Sequence, residues 1–408
     1  MTRLTAVRRM VNTARSSPGE RACDGAAAPA RGTSPWIAGL FLLLGGCHSD
    51  AKVLGHAGKG PVGQIAVAGT RVYAASETTL TIYDFADPGA PRELGRLESP
   101  GYFGAMAASG NILWVEVGIM FKGLETAPES LDQQWIARGW LTIDPRSYSE
   151  GVFTGVSQLT AFDLADPARP VFLGALDLTP SDTLPSKVER MFLSGSTLYA
   201  SPQYNGVRIV DVANPRQPKL LGALERGHCV ALSGRRFVVA DGPGVEISGT
   251  DGDQTLPGGF AVVDAADPGK LRELGRLDGL RLGEGEFGAN VETVAAFNRY
   301  AYVGLSILKG LRVSYFLVVV DIASPTQPRE VGRIRMRKSI QELGVVGSRL
   351  YAQAEGSILQ FDLTRPEKPK VVATFRQGEI LRSLFTESAI YTGTWDGVHL
   401  LRFSTPPG

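Results

Sequence analysis

The chain has 408 residues, with 42 Lys and Arg against 41 Asp and Glu and a net charge of +1, so no global field draws it to nucleic acid or to an anionic membrane surface. A hydrophobic content of 43% with 20% charged residues supplies a folded core, and 49 Gly with 25 Pro describe short strands and frequent turns. Cys23, Cys47 and Cys229 have neither metal-ligand nor disulfide-framework spacing, which excludes a cysteine-built scaffold and leaves Cys229 as a small buried hydrophobe.

The first element is the apolar run Trp36 to Leu44, too short for the roughly 20 residues that span a bilayer but suited to the core of a signal peptide. Leu44-Gly45-Gly46-Cys47 follows at once and resembles a bacterial lipobox, whose cysteine is lipidated and becomes the mature N-terminus. That resemblance makes residues 1–46 a signal peptide and 47–51 a lipidated Cys47 with a short tether. It implies a cell-envelope protein that meets the membrane only through its lipid. By similarity to lipoprotein sorting rules, His48 after the cysteine points to the outer membrane or cell surface. A plain signal peptide or a buried strand are the competing readings. About 35 residues carrying six arginines precede the run, longer than a usual n-region, so the expected start lies further downstream.

Beyond Cys47 the chain repeats itself. An apolar run ends in Asp, a polar residue and Pro follow, and then a Leu-Gly pair: Ile82-Tyr83-Asp84-Phe85-Ala86-Asp87-Pro88 with Leu94-Gly95 is the first copy. Further copies centre on Asp163, Asp211, Asp264, Asp321 and Asp362, the last with Val372-Ala373 in place of Leu-Gly. Two strand-like runs precede each Asp, so each unit offers four short strands, A to D, with C ending in the Asp and D carrying Leu-Gly. Four-stranded units at this period predict propeller blades. C runs without alternation, such as Phe316 to Val320, suit sheets buried on both faces.

The ends settle the count. The chain after the sixth copy, with Ala389 to Thr392 and Gly397 to Phe403, supplies A, B and C strands of a seventh unit and no D, whereas Lys52-Val53-Leu54-Gly55 near the N-terminus matches Arg92-Glu93-Leu94-Gly95 of a D strand. The expectation is an all-β, seven-bladed β-propeller over residues 52–408, with four-stranded antiparallel blades and the N-terminal strand completing the last one. The pattern resembles the LVIVD-repeat family, with Arg208 to Pro215 and Phe316 to Pro325 its best copies. This resemblance implies architecture and an exported location but no reaction.

The recurrent Asp to Asp/Asn-Pro spacing invites calcium, but Asx turns with Pro-set φ are the stronger account of the same residues. Asp251-Gly252-Asp253-Gln254-Thr255 begins like a calcium loop and then lacks the required Gly and Glu. Gly283 to Gly288 satisfies G-x-G-x-x-G without the helix that phosphate binding needs. His48, His56, His228 and His399 form no sequence cluster of ligands, so neither a cofactor nor a metal is assigned.

Extra residues at about 118–155, 242–258 and 305–315 all fall between strands B and C, on one face of the disc, where Trp135, Trp140, Tyr148 and Phe153 offer anchors. Aligned A strands place Gln64, Ala105, Arg190, Cys229, Thr293, Glu342 and Arg382 in one ring and Gly63, Gly104, Glu189, His228, Glu292, Gln341 and Leu381 in the ring before it. The candidate ligand-binding set is therefore the channel mouth of Arg190, His228, Glu292, Glu342 and Arg382; pairing of these charges with one another is the competing account. At a solvated mouth such a ring adds little stability.

Two functions survive: a binding or scaffolding module for an unknown protein, glycan or small ligand, and a lactonase-like propeller hydrolase using mouth carboxylates and a divalent metal. The dispersal of Glu189, Glu292 and Glu342 over three blades favours binding.

Overall fold

A strand such as Leu317-Val318-Val319-Val320 offers no polar face and is stable only where both faces are covered. In the computed structural model it is the third strand of one of seven four-stranded antiparallel sheets, each covered by its neighbours. The structure describes residues 51–99, 101–120, 155–178, 187–202, 206–224, 227, 229–233, 236–240, 246–249, 252–255, 259–278, 289–309 and 311–403. Blade 1 has strands A to D at Gln64–Ala68, Arg71–Ala75, Thr79–Asp84 and Arg92–Glu98. Inner strands of the other blades are Tyr102–Ser109, Val188–Ser194, Cys229–Ser233, Ala289–Phe297, Ile340–Val346 and Ile380–Phe385. They touch one another around the axis from blade 1 to blade 3 and from blade 4 to blade 7, and that of blade 7 meets that of blade 1.

The ring closes as the unmatched ends predict. Ala51–Ala57 pairs with Gly397–Phe403, from Ala51 opposite Phe403 to Ala57 opposite Val398, and is the D strand of blade 7. The tight A-to-B turns require a left-handed residue, supplied by Gly69 at φ 62° in blade 1 and by Asn298 at φ 55° in blade 5.

The repeated Asp and Pro build the C-to-D corner. Asp84 Oδ1 accepts the Ala86 N–H at 2.9 Å, Asp87 Oδ1 accepts the Gly89 N–H at 3.0 Å, and the Ala90 N–H closes the turn on the Asp87 carbonyl at 3.1 Å. The same Asx bond recurs at Asp163, Asp211, Asp264, Asp321 and Asp362.

The Leu-Gly pair has a different job. Leu94 is bulged out of the ladder, and Gly95 lies against the Pro167 carbonyl of the next blade, leaving no room for a Cβ. Gly55 meets Pro88, Gly174 meets Pro215, Gly222 meets Pro268 and Gly275 meets Pro325 in the same way. Blades 7, 1, 2, 3 and 4 therefore lock onto the Pro corner of the next blade, and Gly332 of blade 5 faces the Glu367 carbonyl of blade 6 less tightly. Blade 6 has Ala373 where the others have Gly, and the blade after it has no such corner because its D strand comes from the N-terminus.

Two of the three extra segments differ from surface loops. In blade 5, Tyr300–Lys309 and Arg312–Asp321 pair without interruption to Lys309 opposite Arg312, so residues 305–315 are a lengthened hairpin. In blade 4, Glu246–Gly249 and Gly252–Thr255 form a separate two-stranded ribbon. The calcium-like segment from Asp251 is thus mostly strand, which removes the loop geometry that reading needs. Residues 121–154, with Trp135, Trp140, Tyr148 and Phe153, and the glycine run 283–288 lie outside the described residues.

Candidate functional site

Every inner strand starts on the face that carries the B-to-C connections. In blades 3, 5, 6 and 7 the A–B ladder skips one residue there, at Glu189, Glu292, Gln341 and Leu381. Such a bulge releases a backbone carbonyl from the sheet and turns the next side chain. The mouth arginines satisfy three of these carbonyls: Arg190 donates to Gln341 O at 2.7 Å and Glu292 O at 3.4 Å, and Arg382 to Glu189 O at 3.2 Å.

Both arginines also meet one carboxylate. Arg190 pairs with Glu342 Oε2, and Arg382 Nη1 lies 2.6 Å from Glu342 Oε1. Because Arg190 belongs to blade 3, Glu342 to blade 6 and Arg382 to blade 7, the cluster bridges the central channel. The structure thus brings Arg190, Glu342 and Arg382 together as an ion-paired plug. Glu292 contributes its carbonyl, while its side chain takes bonds from Asn290 at 2.9 Å and Ser306 at 2.8 Å. With only 11% of its side chain exposed, Glu342 is not the solvated group expected from the sequence. His228 and Cys47 lie outside the described residues. The positions after the mouth are buried as expected at Ile65, Met106, Met191, Val230, Val294 and Leu343.

Beside the plug, on the same face, is a cleft of about 450 Å³ that shares Gln64 and Leu381 with the two inner-strand rings. Phe103, Tyr102 and Trp395 form aromatic walls, and the Lys187 ammonium sits 5.4 Å from the centre of the Tyr102 ring. Trp395, in the B-to-C turn of blade 7, is 59% exposed and donates its indole N–H to Glu379 at 2.6 Å.

Behind Tyr102 lies a buried acid. Glu116, fully enclosed in blade 2, accepts the Ser157 hydroxyl at 2.6 Å, the Val188 N–H of blade 3 at 2.8 Å and the Tyr102 hydroxyl at 3.3 Å. Burial raises its pKa to about 7 against the pull of these donors, and burial with Glu116 beside it pushes the Tyr102 phenol upward. Gly104 is required here, since a Cβ would collide with the Glu116 carboxylate.

Sequence reasoning missed Tyr102, Glu116, Lys187 and Trp395. Only Glu116 carried a signal, as the one charge in the apolar run Ile112 to Ile119. The histidines need correction: antiparallel pairing of the first and last strands puts His56 opposite His399, rings stacked 4.4 Å apart, with Asp396 beside both.

These features define a seven-bladed β-propeller with an ion-paired channel mouth and an aromatic cleft on one rim. Residues 186–225 and 288–335 match the LVIVD repeat model, so the chain carries LVIVD repeats. No curated protein matches it. Among solved structures, a chain of the Mitotic Checkpoint Complex superposes with a TM-score of 0.55 at 10% identity, over 94% of this chain and 98% of that one. Saccharomyces cerevisiae Sqt1 gives 0.52 at 13% identity, over 88% and 100%. The WD40 domain of Toxoplasma gondii coronin gives 0.52 at 12%, over 88% and 86%. At such identities the likeness is one of fold alone.

Proposed function

We propose that the protein is an exported, lipid-anchored binding propeller that takes its ligand in the cleft of Tyr102, Phe103, Lys187 and Trp395. The observation that carries this is an exposed tryptophan and a cation over an aromatic ring, lining one cleft on the rim where the B-to-C connections gather. The fold with its LVIVD repeats is compatible with such a role. Both Glu342 oxygens face arginines, which weighs against a hydrolase that would hold its metal there. Arg190, Glu342 and Arg382 then act as the rigid floor beside the ligand. Export and anchoring rest on Trp36 to Leu44 and the cysteine that follows.

The test is to probe glycan and peptide arrays with the full chain, Trp395→Ala and Lys187→Glu. Signals lost in both variants at an unchanged melting temperature support the cleft. Signals retained by both remove it. For the anchor, wild type expressed in a bacterial host should partition into detergent and Cys47→Ser should not; equal partitioning removes the anchor.

A further inference from the structure

We infer that His56, Asp396 and His399 form a site for a divalent transition-metal ion of the zinc type that clasps the two ends of the propeller together. The three residues come from three segments of blade 7: the N-terminal D strand, the B-to-C turn and the C strand. One potential ligand atom from each lies within 4.8 Å of the other two.

The arrangement is already close to a coordination shell. His56 Nε2 is 2.9 Å from the Asp396 carbonyl oxygen, and His399 Nε2 is 3.0 Å from Asp396 Oδ1. Ligands at about 2.0 Å around a tetrahedral ion stand about 3.3 Å apart, so the spacing of His399 Nε2 and the Asp396 carboxylate is that of donors sharing a metal, while the contact to the carbonyl holds the His56 ring beside them. In the metal-free protein a proton occupies each contact; an ion would replace the Nε2 protons and be held by two imidazoles and a carboxylate. His56 and Asp396 are exposed and free to close the remaining gap, whereas His399 is buried and fixed. Two neutral imidazoles with one carboxylate and an open position suit zinc in preference to magnesium or calcium, which take oxygen ligands.

The turn is shaped for this. Gly397 has φ 131°, which disfavours other residues, and a Cβ there would stand 3.0 Å from His56 Nε2. Thr394 donates its hydroxyl to Asp396 Oδ1 and so orients the carboxylate, as outer groups orient metal ligands. The consequence is mechanical. His56 and Asp396 are 340 residues apart in sequence, so an ion held between them binds only the closed ring and stabilises it by mass action. The site shares the B-to-C turn of blade 7 with the proposed ligand cleft, Asp396 following Trp395, but none of its three residues lines that cleft.

The experiment uses the full chain, purified without a histidine tag and stripped with chelator. Zinc chloride should bind with one-to-one stoichiometry in calorimetry and raise the melting temperature by several degrees, and magnesium chloride should do neither. His56→Gln and Asp396→Asn, both at exposed positions, should keep the metal-free melting temperature within a few degrees, weaken zinc at least tenfold and lose the thermal shift. Cobalt(II) should give the intense visible absorption of a low-coordinate site in the wild type and not in either variant. No zinc binding by the wild type, or an equal zinc-induced shift in both variants, overturns the inference.

Discussion

Gly95 of blade 1 lies against the carbonyl of Pro167 in blade 2, closely enough that a Cβ at position 95 would collide with that oxygen. The two marks of the repeat, Leu-Gly and Asp-x-x-x-Pro, thus meet each other across the joint between blades. Gly95→Ala should cost about 2 kcal/mol by overpacking that joint, whereas Ala373→Gly, facing the blade without a corner, should cost less than about 1 kcal/mol. Melting temperatures of the two variants check this, and equal losses would deny the joint its role.

The closing sheet depends on a strand from the far end of the chain. Deleting residues 51–57 exposes the edge of Gly397–Phe403, where Val398, Leu400 and Leu401 are otherwise buried. The expected result is self-association in light scattering or a melting temperature lower by more than 10 °C. A monomer with unchanged melting would mean that the ring holds without this strand.

At the mouth, Glu342→Ala leaves Arg190 and Arg382 facing each other in a partly buried space, and should cost roughly 2 kcal/mol. Replacing all three by Met and Leu should restore stability to within about 1 kcal/mol, because the desolvation of the charges disappears with them. Denaturant midpoints distinguish these outcomes. A harmless Glu342→Ala would return the cluster to the status of a solvated surface network.

Glu116 makes stability depend on pH. Its pKa is near 7 in the folded chain and near 4.5 when unfolded, so below pH 4.5 both states are protonated. Between pH 4.5 and 7 the unfolded state loses its proton first, and the folded state loses stability on the order of 3 kcal/mol, with no further change above pH 7. Glu116→Gln should flatten that slope and raise the melting temperature at pH 7.5 while leaving it unchanged at pH 4. The amide fits, since its oxygen can accept from Val188 N–H and its NH2 can donate to the Ser157 and Tyr102 hydroxyls. An unchanged slope in the variant would assign the pH dependence elsewhere.

The number of blades, their four strands and the way the ring closes were legible in the sequence because they rest on local chemistry: Asp and Pro make a turn wherever they occur, and apolar runs make strands. The chain's two unmatched ends required only counting. Ala373 was legible as a departure from the repeat but not as a meaningful one, since its reason lies in the next blade. The same limit applied to the mouth. Alignment placed Arg190, Glu342 and Arg382 at equivalent heights, but their contact across the channel, and the bulged carbonyls that hold the arginines, depend on bulge positions that leave no mark in composition.

What the sequence by itself determined is the repeating backbone, since turn propensity and burial pattern act within some ten residues. The tertiary structure alone decided the chemistry of the rim. Trp395 and Lys187 meet in a cleft, Glu116 is enclosed by a neighbouring blade, and His56 stacks on His399, through contacts between distant segments. Such contacts arise from the closure of the ring, which brings equivalent positions of different blades to one axis and the first strand beside the last.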